Sequence, residues 1–241
     1  MKRALRLLVL ALLTLLALQL YFLLRIAAMN WIDPQSTTFQ RSEMTRIVAR
    51  DGRLAWSQQW VALSAISANL PRAVIASEDG GFLEHHGIEW EAVEQAWSKN
   101  QRAEARAAQR KNGRRVAKVV GGSTITQQLA KNLFLSGERS MARKAQEALL
   151  ALSLEALLSK SRILEIYLNH VEWGEGVFGA QAAARHYFRV DARQLAAAQA
   201  ARLAVMLPAP KRFERLPGSA YLATRSGTIQ ARMGDVELPP R

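Results

Sequence analysis

Two runs of the chain combine chemically capable side chains with glycine. The first extends from Glu78 to Gly87 and holds three carboxylates and two histidines, and the second extends from Gly121 to Asn132 and holds hydroxyls, amides and one lysine. Both runs are too polar and too rich in glycine for an ordinary protein core. They are therefore candidate walls of an active site.

In the first run, Glu78 and Asp79 follow the apolar stretch 73–76, so a helix is expected to deliver both carboxylates to the rim of a cleft. Burial of one carboxylate would raise its pKa and make it a usable general base near neutral pH. The alternative is that Asp79 caps the next segment or pairs with an arginine. His85 and His86 are candidate metal ligands or acid-base groups, although histidines also make purely structural hydrogen bonds.

The second run offers donors and acceptors suited to sugar hydroxyls. These are the side chains of Ser123, Thr124, Gln127 and Gln128, beside glycines that let the backbone approach a ligand. The alternative is that Ser123 or Thr124 is the N-cap of a helix. Because Gln127 and Lys131 are four residues apart, such a helix would place a cation beside the amide.

A basic group follows, in which Arg139, Arg143 and Lys144 precede Glu147. An ordinary ion pair between Arg143 and Glu147, four apart on a helix, is worth only about 0.3–0.5 kcal/mol. The functional alternative is a pocket in which Lys131, Arg139 and Arg143 neutralise a departing diphosphate, with Glu147 orienting the cations or holding a divalent ion.

The segment that would carry these residues to a membrane lies at the N-terminus. We predict a cytoplasmic N-terminus at 1–6, a transmembrane helix at 7–28, a linker at 29–45 and a folded domain at 46–235. The 18 residues from Leu7 to Leu24 would rise about 27 Å as a helix, close to the thickness of the hydrocarbon layer. A cleaved signal peptide is the alternative, but its apolar core is usually shorter. Three cations precede the span and Arg25 alone closely follows it, which places the remainder outside the inner face.

Charge and composition limit the function. The formal net charge is +13, which suits anionic lipid or a phosphorylated substrate, whereas export removes nucleic acid as a partner. The basic run 98–118 is interpreted as solvated surface or as a contact with the membrane. The chain has no cysteine, which excludes disulfides, thiol catalysis and zinc-thiolate sites.

The rest of the chain is predicted to be mainly α. The periodicity indicates core helices over 141–158, 160–170 and 195–207, and Pro71 is expected at the first position of another helix. The only clear β feature is a hairpin over 47–56, centred on Asp51-Gly52.

The two runs, together with Arg143-Lys144-Ala145-Gln146-Glu147 and the stretch Lys160 to Asn169, closely resemble the motifs of the peptidoglycan glycosyltransferases. Four motifs stand in the expected order across about residues 60–210, which is far more specific than one motif alone. The chain ends soon after them, without room for a penicillin-binding transpeptidase domain, so the monofunctional class is implied.

The resemblance implies a mainly α, lysozyme-like domain of two lobes with a cleft between them, and lipid II as the substrate. It implies that Glu78 is the catalytic base, that Glu147 is the second essential glutamate, and that Lys131 and Arg139 stabilise the leaving group. The other residues implied to line the cleft or support the base are Ser123, Thr124, Gln127, Gln128, Arg143, Asp79, Phe82 and His85. The segment 221–233 departs from the last motif of the family, so Arg225 is assigned no role.

The expected reaction is inverting polymerisation of lipid II into β-1,4-linked glycan with release of undecaprenyl diphosphate, at the periplasmic face of the inner membrane. The sequence establishes no cofactor with certainty; it leaves open Mg²⁺ or Mn²⁺ at the donor diphosphate, and partner proteins of cell-wall synthesis or division. A glycan hydrolase or lytic transglycosylase is the main alternative, since two carboxylates in such a cleft can also break glycosidic bonds. A non-catalytic scaffold is the third.

Overall fold

The computed structural model describes residues 2–91, 94–95, 98, 101–102, 122–138 and 140–240. Almost all of the basic run 98–118 therefore lies outside the described residues, as does Arg139. Within the described part, the mainly α fold class is confirmed. The helices are α1 Lys2–Ala28, α2 Thr38–Asp51, α3 Asn69–Glu78, α4 Ile125–Phe134, α5 Met141–Leu157, α6 Lys160–His170, α7 Ala180–Phe188, α8 Ala197–Met206, α9 Pro210–Glu214 and α10 Ala220–Arg232.

Helix α1 is long and apolar enough to cross a membrane, with a mean hydropathy of 2.6 over its most apolar 18 residues. Its leucines are exposed along nearly its whole length, but Ile26 near its end is fully buried in the core. Phe22 meets Phe134 of α4 edge to face at 5.3 Å. The last turns of α1 therefore pack on the folded domain.

The hairpin prediction over 47–56 is wrong, because residues 47–51 form the end of α2 and residues 53–56 form no strand. Thr37 caps the start of α2, and its hydroxyl accepts from the backbone N–H of Gln40. Gly52 adopts φ +68° and closes the other end, so Asp51-Gly52 is a helix terminus. Helix α2 also begins inside the stretch 29–45 that was expected to be a linker.

A small three-stranded sheet is formed by β1 Ser57–Gln58, β2 Glu172–Gly174 and β3 Val177–Phe178. Strand β3 lies in the middle, parallel to β1 and antiparallel to β2. Gly176, in the turn between β2 and β3, has φ +70°, and a Cβ at this position would lie 2.2 Å from the carbonyl oxygen of Ala55. Glycine is therefore required where β1 approaches this turn.

The core helices match their predicted positions closely. The periodicity over 141–158 and 160–170 corresponds to α5 and α6, and the alanine-rich stretch over 195–207 corresponds to α8. Pro71 occupies the third position of α3 and not the first. The N–H groups of the first helical turn have no partner within the helix, so the N–H that proline lacks costs no helical hydrogen bond. Helix α8 packs between α3 and α10, and α4 packs against α2, α5 and α6. Helices α3, α4 and α5 thereby bring their termini to one side of the core.

Candidate active site

Glu78 is the last residue of α3, and its carboxylate meets the side chain of Gln128 on α4. The Nε2 of Gln128 donates to Glu78 Oε2 at 3.0 Å. The hydroxyl of Tyr167 donates to Gln128 Oε1 at 3.0 Å, which fixes the orientation of the amide. Gln128 therefore presents an N–H group, and not an oxygen, to the carboxylate.

Burial raises the pKa of the half-buried Glu78 carboxyl above its ordinary value. The hydrogen bonds from Gln128 and Ser77 oppose this rise because they stabilise the charged form, whereas the neighbouring Asp79 adds to it. The charge of Arg225 on α10 also acts on this carboxyl and lowers its pKa. A carboxylate with a raised pKa is a better proton acceptor when it is ionised.

Asp79 has a different role from its neighbour, because it joins the first run to the start of α4. One carboxylate oxygen accepts from the backbone N–H of Ile125 at 2.9 Å, and the other contacts His85 Nε2 at 2.9 Å. His85 Nδ1 accepts from the N–H of Gly87 at 3.1 Å, so Nε2 carries the proton that Asp79 accepts. Asp79 therefore caps the following segment, which was the structural alternative, and His85 holds it in place.

The start of α4 is a capping box built from Thr124 and Gln127. The Thr124 hydroxyl accepts from the N–H of Gln127, and the Gln127 amide oxygen accepts from the N–H of Thr124. The Thr124 hydroxyl also donates to the carbonyl oxygen of Gly87 at 2.7 Å. Both side chains are thus occupied in holding the helix terminus, and Gln128 is the amide that faces the candidate base.

Phe82 is fully buried and belongs to the core beneath the run 78–87. The ammonium of Lys160 lies 4.6 Å from the centre of its ring and also donates to the carbonyl oxygen of His85 at 2.6 Å. Lys160 pairs with Glu155 at 2.8 Å, whose same oxygen accepts from the Thr126 hydroxyl at 2.6 Å. This network joins the run 78–87 to Lys160 of α6, Glu155 of α5 and Thr126 of α4.

On α5, Glu147 is only 3% exposed and pairs with two cations. Arg143 donates to Glu147 Oε2 at 2.7 Å, and Lys144 donates to Oε1. Lys144 also contacts the hydroxyl of Ser123 at 3.3 Å, which joins α5 to the residue that precedes the cap of α4. Glu147 therefore holds two cations at the start of α5.

Lys131 lies on the groove side of α4, close to this charged group. Loss of water around its ammonium lowers its pKa, the repulsion from Arg143 and Lys144 acts in the same direction, and the attraction of Glu147 opposes both. A groove of about 390 Å³ is lined by Lys131 and Arg143 on one side and by Ser42 and Glu43 of α2 on the other. A second carboxylate, Glu138, also lines the groove, so its two cations stand beside two acidic side chains.

Helix α4 connects the two halves of the site. Gln128 and Lys131 are three residues apart, so they lie on neighbouring positions of one helix face, about 5–6 Å apart at Cβ. Gln128 contacts the candidate base, and Lys131 interacts with the cation cluster around Glu147. The site residues of the two runs and of the basic group therefore meet along one face of α4.

Four residues that act on the candidate site in this structure were not assigned from the sequence: Lys144, Lys160, Tyr167 and Arg225. The first three fall within the motifs that carry the family resemblance, which was the available signal. Arg225 stands in the segment that departs from the last motif, and only the packing of α10 against α3 places its charge near Glu78.

Within the described residues, no group of three or more histidine, aspartate or glutamate side chains is arranged to hold a metal ion. Both oxygens of Glu147 accept hydrogen bonds from cations, and the oxygens of Asp79 are bonded to Ile125 and His85. These two carboxylates are thus engaged within the protein, and the carboxylates that line the groove itself are Glu43 and Glu138.

Comparison with known proteins identifies the family. The transglycosylase family model matches residues 46–234. A biosynthetic peptidoglycan transglycosylase of Paraburkholderia phytofirmans is 50% identical over 93% of this chain and 88% of its own length. Proteins of the same name from Bordetella pertussis and a Janthinobacterium species are 52% and 49% identical, over 86% and 97% of this chain and 82% and 96% of their own lengths. The chain belongs to the transglycosylase family and is a peptidoglycan glycosyltransferase.

Proposed function

We propose that this peptidoglycan glycosyltransferase joins lipid II units with Glu78 as the general base. Glu78 accepts the proton of the acceptor 4-hydroxyl while that oxygen attacks the anomeric carbon of the donor. The bond between the anomeric carbon and the diphosphate breaks on the opposite face, so the configuration inverts. The products are a β-1,4-linked glycan and undecaprenyl diphosphate.

The observation that carries this proposal is that one face of α4 links Glu78, at the end of α3, to Lys131. Gln128 holds the carboxylate of Glu78 at 3.0 Å, and Lys131 stands one turn further along α4 beside the groove. A base for the acceptor and a cation for the leaving group are needed on opposite sides of the reacting carbon. Helix α4 supplies the cation and, through Gln128, holds the base that α3 supplies.

On the donor side, we assign charge stabilisation to Lys131, Arg143 and Lys144. Cleavage of the donor bond places negative charge on diphosphate oxygens, and fixed cations beside those oxygens lower the barrier for that step. Glu147 acts by orienting Arg143 and Lys144 and not by donating a proton, because both of its oxygens accept from those cations. Arg139, which lies outside the described residues, is assigned to the same role from the family motif.

The arrangement favours synthesis over hydrolysis of glycan. A glycan hydrolase needs one carboxylic acid to protonate the leaving sugar oxygen. Both oxygens of the buried Glu147 accept hydrogen bonds from Arg143 and Lys144, so this glutamate is engaged by cations and not placed to act as that acid. Departure of a diphosphate needs no such acid, because the leaving group is already anionic.

We place the enzyme as a single-pass protein of the inner membrane, with its N-terminus in the cytoplasm and its catalytic domain in the periplasm. The apolar helix Lys2–Ala28 supports the single span. Three cations precede the span, which favours a cytoplasmic N-terminus. Trp31 is 83% exposed just beyond the helix, in a position typical of an interfacial aromatic.

The test is polymerisation of labelled lipid II by the purified full-length chain and by its Glu78→Gln variant. The wild type is expected to produce long glycan in the presence of penicillin, and Glu78→Gln is expected to produce almost none while unfolding at or above the wild-type temperature. The variant removes a carboxylate whose ionised form burial disfavours, so no loss of stability is expected. Polymerisation by a folded Glu78→Gln enzyme would remove Glu78 from the role of base, and shortening of preformed glycan by the wild type would instead indicate a hydrolase.

A further inference from the structure

The groove lined by Lys131 and Arg143 also contains two carboxylates, which differ in their exposure. Glu43 on α2 is only 9% exposed, whereas Glu138 is open to solvent. Water and salt screen an exposed charge strongly and a buried charge much less. The groove has a volume of about 390 Å³, so its width is comparable to the Debye length of about 8 Å at physiological ionic strength. An anion beside Lys131 and Arg143 would therefore be repelled by Glu43 unless the charge of Glu43 were compensated.

Two cations that are not part of the groove lining contact the carboxylate of Glu43. Arg46, one turn further along α2, donates to Glu43 Oε2 through Nε at 2.9 Å and through Nη2 at 2.7 Å. The ammonium of Lys211 on α9 donates to the same oxygen. Burial raises the pKa of the Glu43 carboxyl, but the hydrogen bonds and charges of Arg46 and Lys211 outweigh burial, so the pKa lies below its usual value. Glu43 is therefore ionised at neutral pH, and its charge is balanced within the protein.

Both cations also serve a second carboxylate. Arg46 forms an ion pair with Glu175 as well as with Glu43. Lys211 lies 3.2 Å from Oε1 of Glu172 on β2, but burial raises the pKa of Glu172 to about 7, so this carboxyl is only partly charged at neutral pH. Lys211 is therefore the less committed of the two cations, and it contributes more to the balance of charge at Glu43.

Helix α9 holds Lys211 in a defined position. The helix begins at Pro210, and the side chain of Phe213 is buried in the core. Glu214 Oε2 accepts from the backbone N–H of Glu175 at 2.9 Å, which joins α9 to the turn between β2 and β3. The backbone around Lys211 is thus fixed at two places, which reduces the entropy that is lost when its ammonium stays beside Glu43.

We propose that Lys211 and Arg46 are positioning residues that neutralise Glu43 in the wall of the groove, so that the groove accepts a lipid diphosphate. Lys211 acts through Glu43 and needs no contact with the substrate. Without Lys211, a buried negative charge would face the anion and oppose Lys131 and Arg143. This inference rests on the proposed function, because it takes the groove to be the site of the departing diphosphate.

The test measures the binding of a soluble diphosphate and does not depend on turnover. The probe is farnesyl diphosphate, titrated calorimetrically into the full-length chain in an uncharged detergent at pH 7. Lys211→Met is expected to bind it about three- to fivefold more weakly than wild type, the upper part of the range for one charge at a partly exposed site. Glu43→Gln is expected to bind it more tightly by a similar factor. The double variant Lys211→Met, Glu43→Gln restores the net charge of this region, and its Kd should lie within about twofold of wild type.

Two controls separate charge from structure. Arg212→Met removes the same charge from an exposed neighbouring position on α9, and it should leave the Kd unchanged. Farnesyl phosphate carries less negative charge than the diphosphate, so Lys211→Met should weaken its binding by only about twofold. A purely structural role for Lys211 would weaken both ligands equally, and Glu43→Gln would then not restore binding. Glu43→Gln keeps the shape of the side chain, so this variant decides the proposal even if Lys211→Met does not fold.

Unchanged binding by a folded Lys211→Met chain would overturn the proposal. Weaker binding by Glu43→Gln would also overturn it, because Glu43 would then be a direct contact of the ligand, and so would absence of farnesyl diphosphate binding to the wild type. Failure of the proposed function itself would look different. In that case the wild type would form no glycan from lipid II, while the Kd values for farnesyl diphosphate would still follow the charges at positions 43 and 211.

Discussion

Replacement of Gln128 by leucine tests how the protein controls Glu78, the proposed catalytic base. The variant keeps the size of the side chain and removes the N–H that Glu78 accepts at 3.0 Å. That hydrogen bond stabilises the ionised carboxylate and opposes the rise in pKa caused by burial. Its loss should therefore raise the pKa of Glu78 further, and the acid limb of the pH profile of kcat/KM should move to higher pH.

The size of the effect follows from the charge on the acceptor. A hydrogen bond to a charged group contributes about 1.5–3 kcal/mol, and the lower value applies here because Glu78 is half-buried and water can partly replace the amide. About 1.4 kcal/mol corresponds to a tenfold change in an equilibrium constant. At a fixed pH on the acid limb, Gln128→Leu should therefore be about tenfold less active than wild type, and at high pH the two should be closely similar.

The measurement is the initial rate of glycan formation from subsaturating lipid II between pH 5 and 9. Tyr167→Phe is an informative companion, because it leaves the N–H of Gln128 present but releases the orientation of the amide, and a smaller shift in the same direction is expected. The exposed residue Gln230 provides a control, as Gln230→Leu should reproduce the wild-type profile. A uniform loss for Gln128→Leu at every pH would refute the reasoning and would indicate that Gln128 acts on substrate binding.

Three further substitutions test other parts of the structure. Glu147→Gln should abolish polymerisation and lower the free energy of unfolding by about 3 kcal/mol, measured by denaturant unfolding, because it breaks a buried pair; wild-type stability would contradict the cation pairing. Arg225→Gln should move the acid limb in the same direction as Gln128→Leu but by less than about fivefold in rate, since partly exposed charges interact by about 0.2–1 kcal/mol, and an unchanged profile would separate Arg225 from Glu78. Burial raises the pKa of Glu172 to about 7, so its contribution to stability is present below the unfolded value near 4.5 and is lost as the pH rises through about 7. Glu172→Gln should accordingly raise Tm at pH 8 and leave it near wild type at pH 5, and calorimetry at the two pH values decides this.

The helices could be predicted from the sequence because their signals are local. The apolar periodicity over 141–158 and 160–170 is set by residues that each helix contains, and α5 and α6 follow it closely. The same local reasoning failed at Asp51-Gly52. A positive φ at glycine serves a type I′ turn and a helix terminus equally well, and only the capping of α2 at Thr37 shows which one forms.

The residue types at the site could be predicted, but the separate roles of neighbouring residues could not. Gln127 and Gln128 are adjacent amides, yet they point about 100° apart on a helix. One completes the capping box and the other holds the candidate base. Which amide takes which role depends on where α3 ends relative to α4, and no pattern within either run contains that information.

The hydrogen bonds of Asp79 explain how two distant runs form a single site. Asp79 binds the first N–H of α4 with one oxygen and contacts His85 with the other, so the orientation of α4 is tied to the residue next to Glu78. Gln128 and Lys131 are fixed on that helix, and both therefore keep their positions relative to the base. The donor cations on α5 are joined to the same point through the contact between Lys144 and Ser123. Base and leaving-group cations are thus held at a constant separation by the capped terminus of α4, as is required when proton transfer and departure of the diphosphate occur at one carbon.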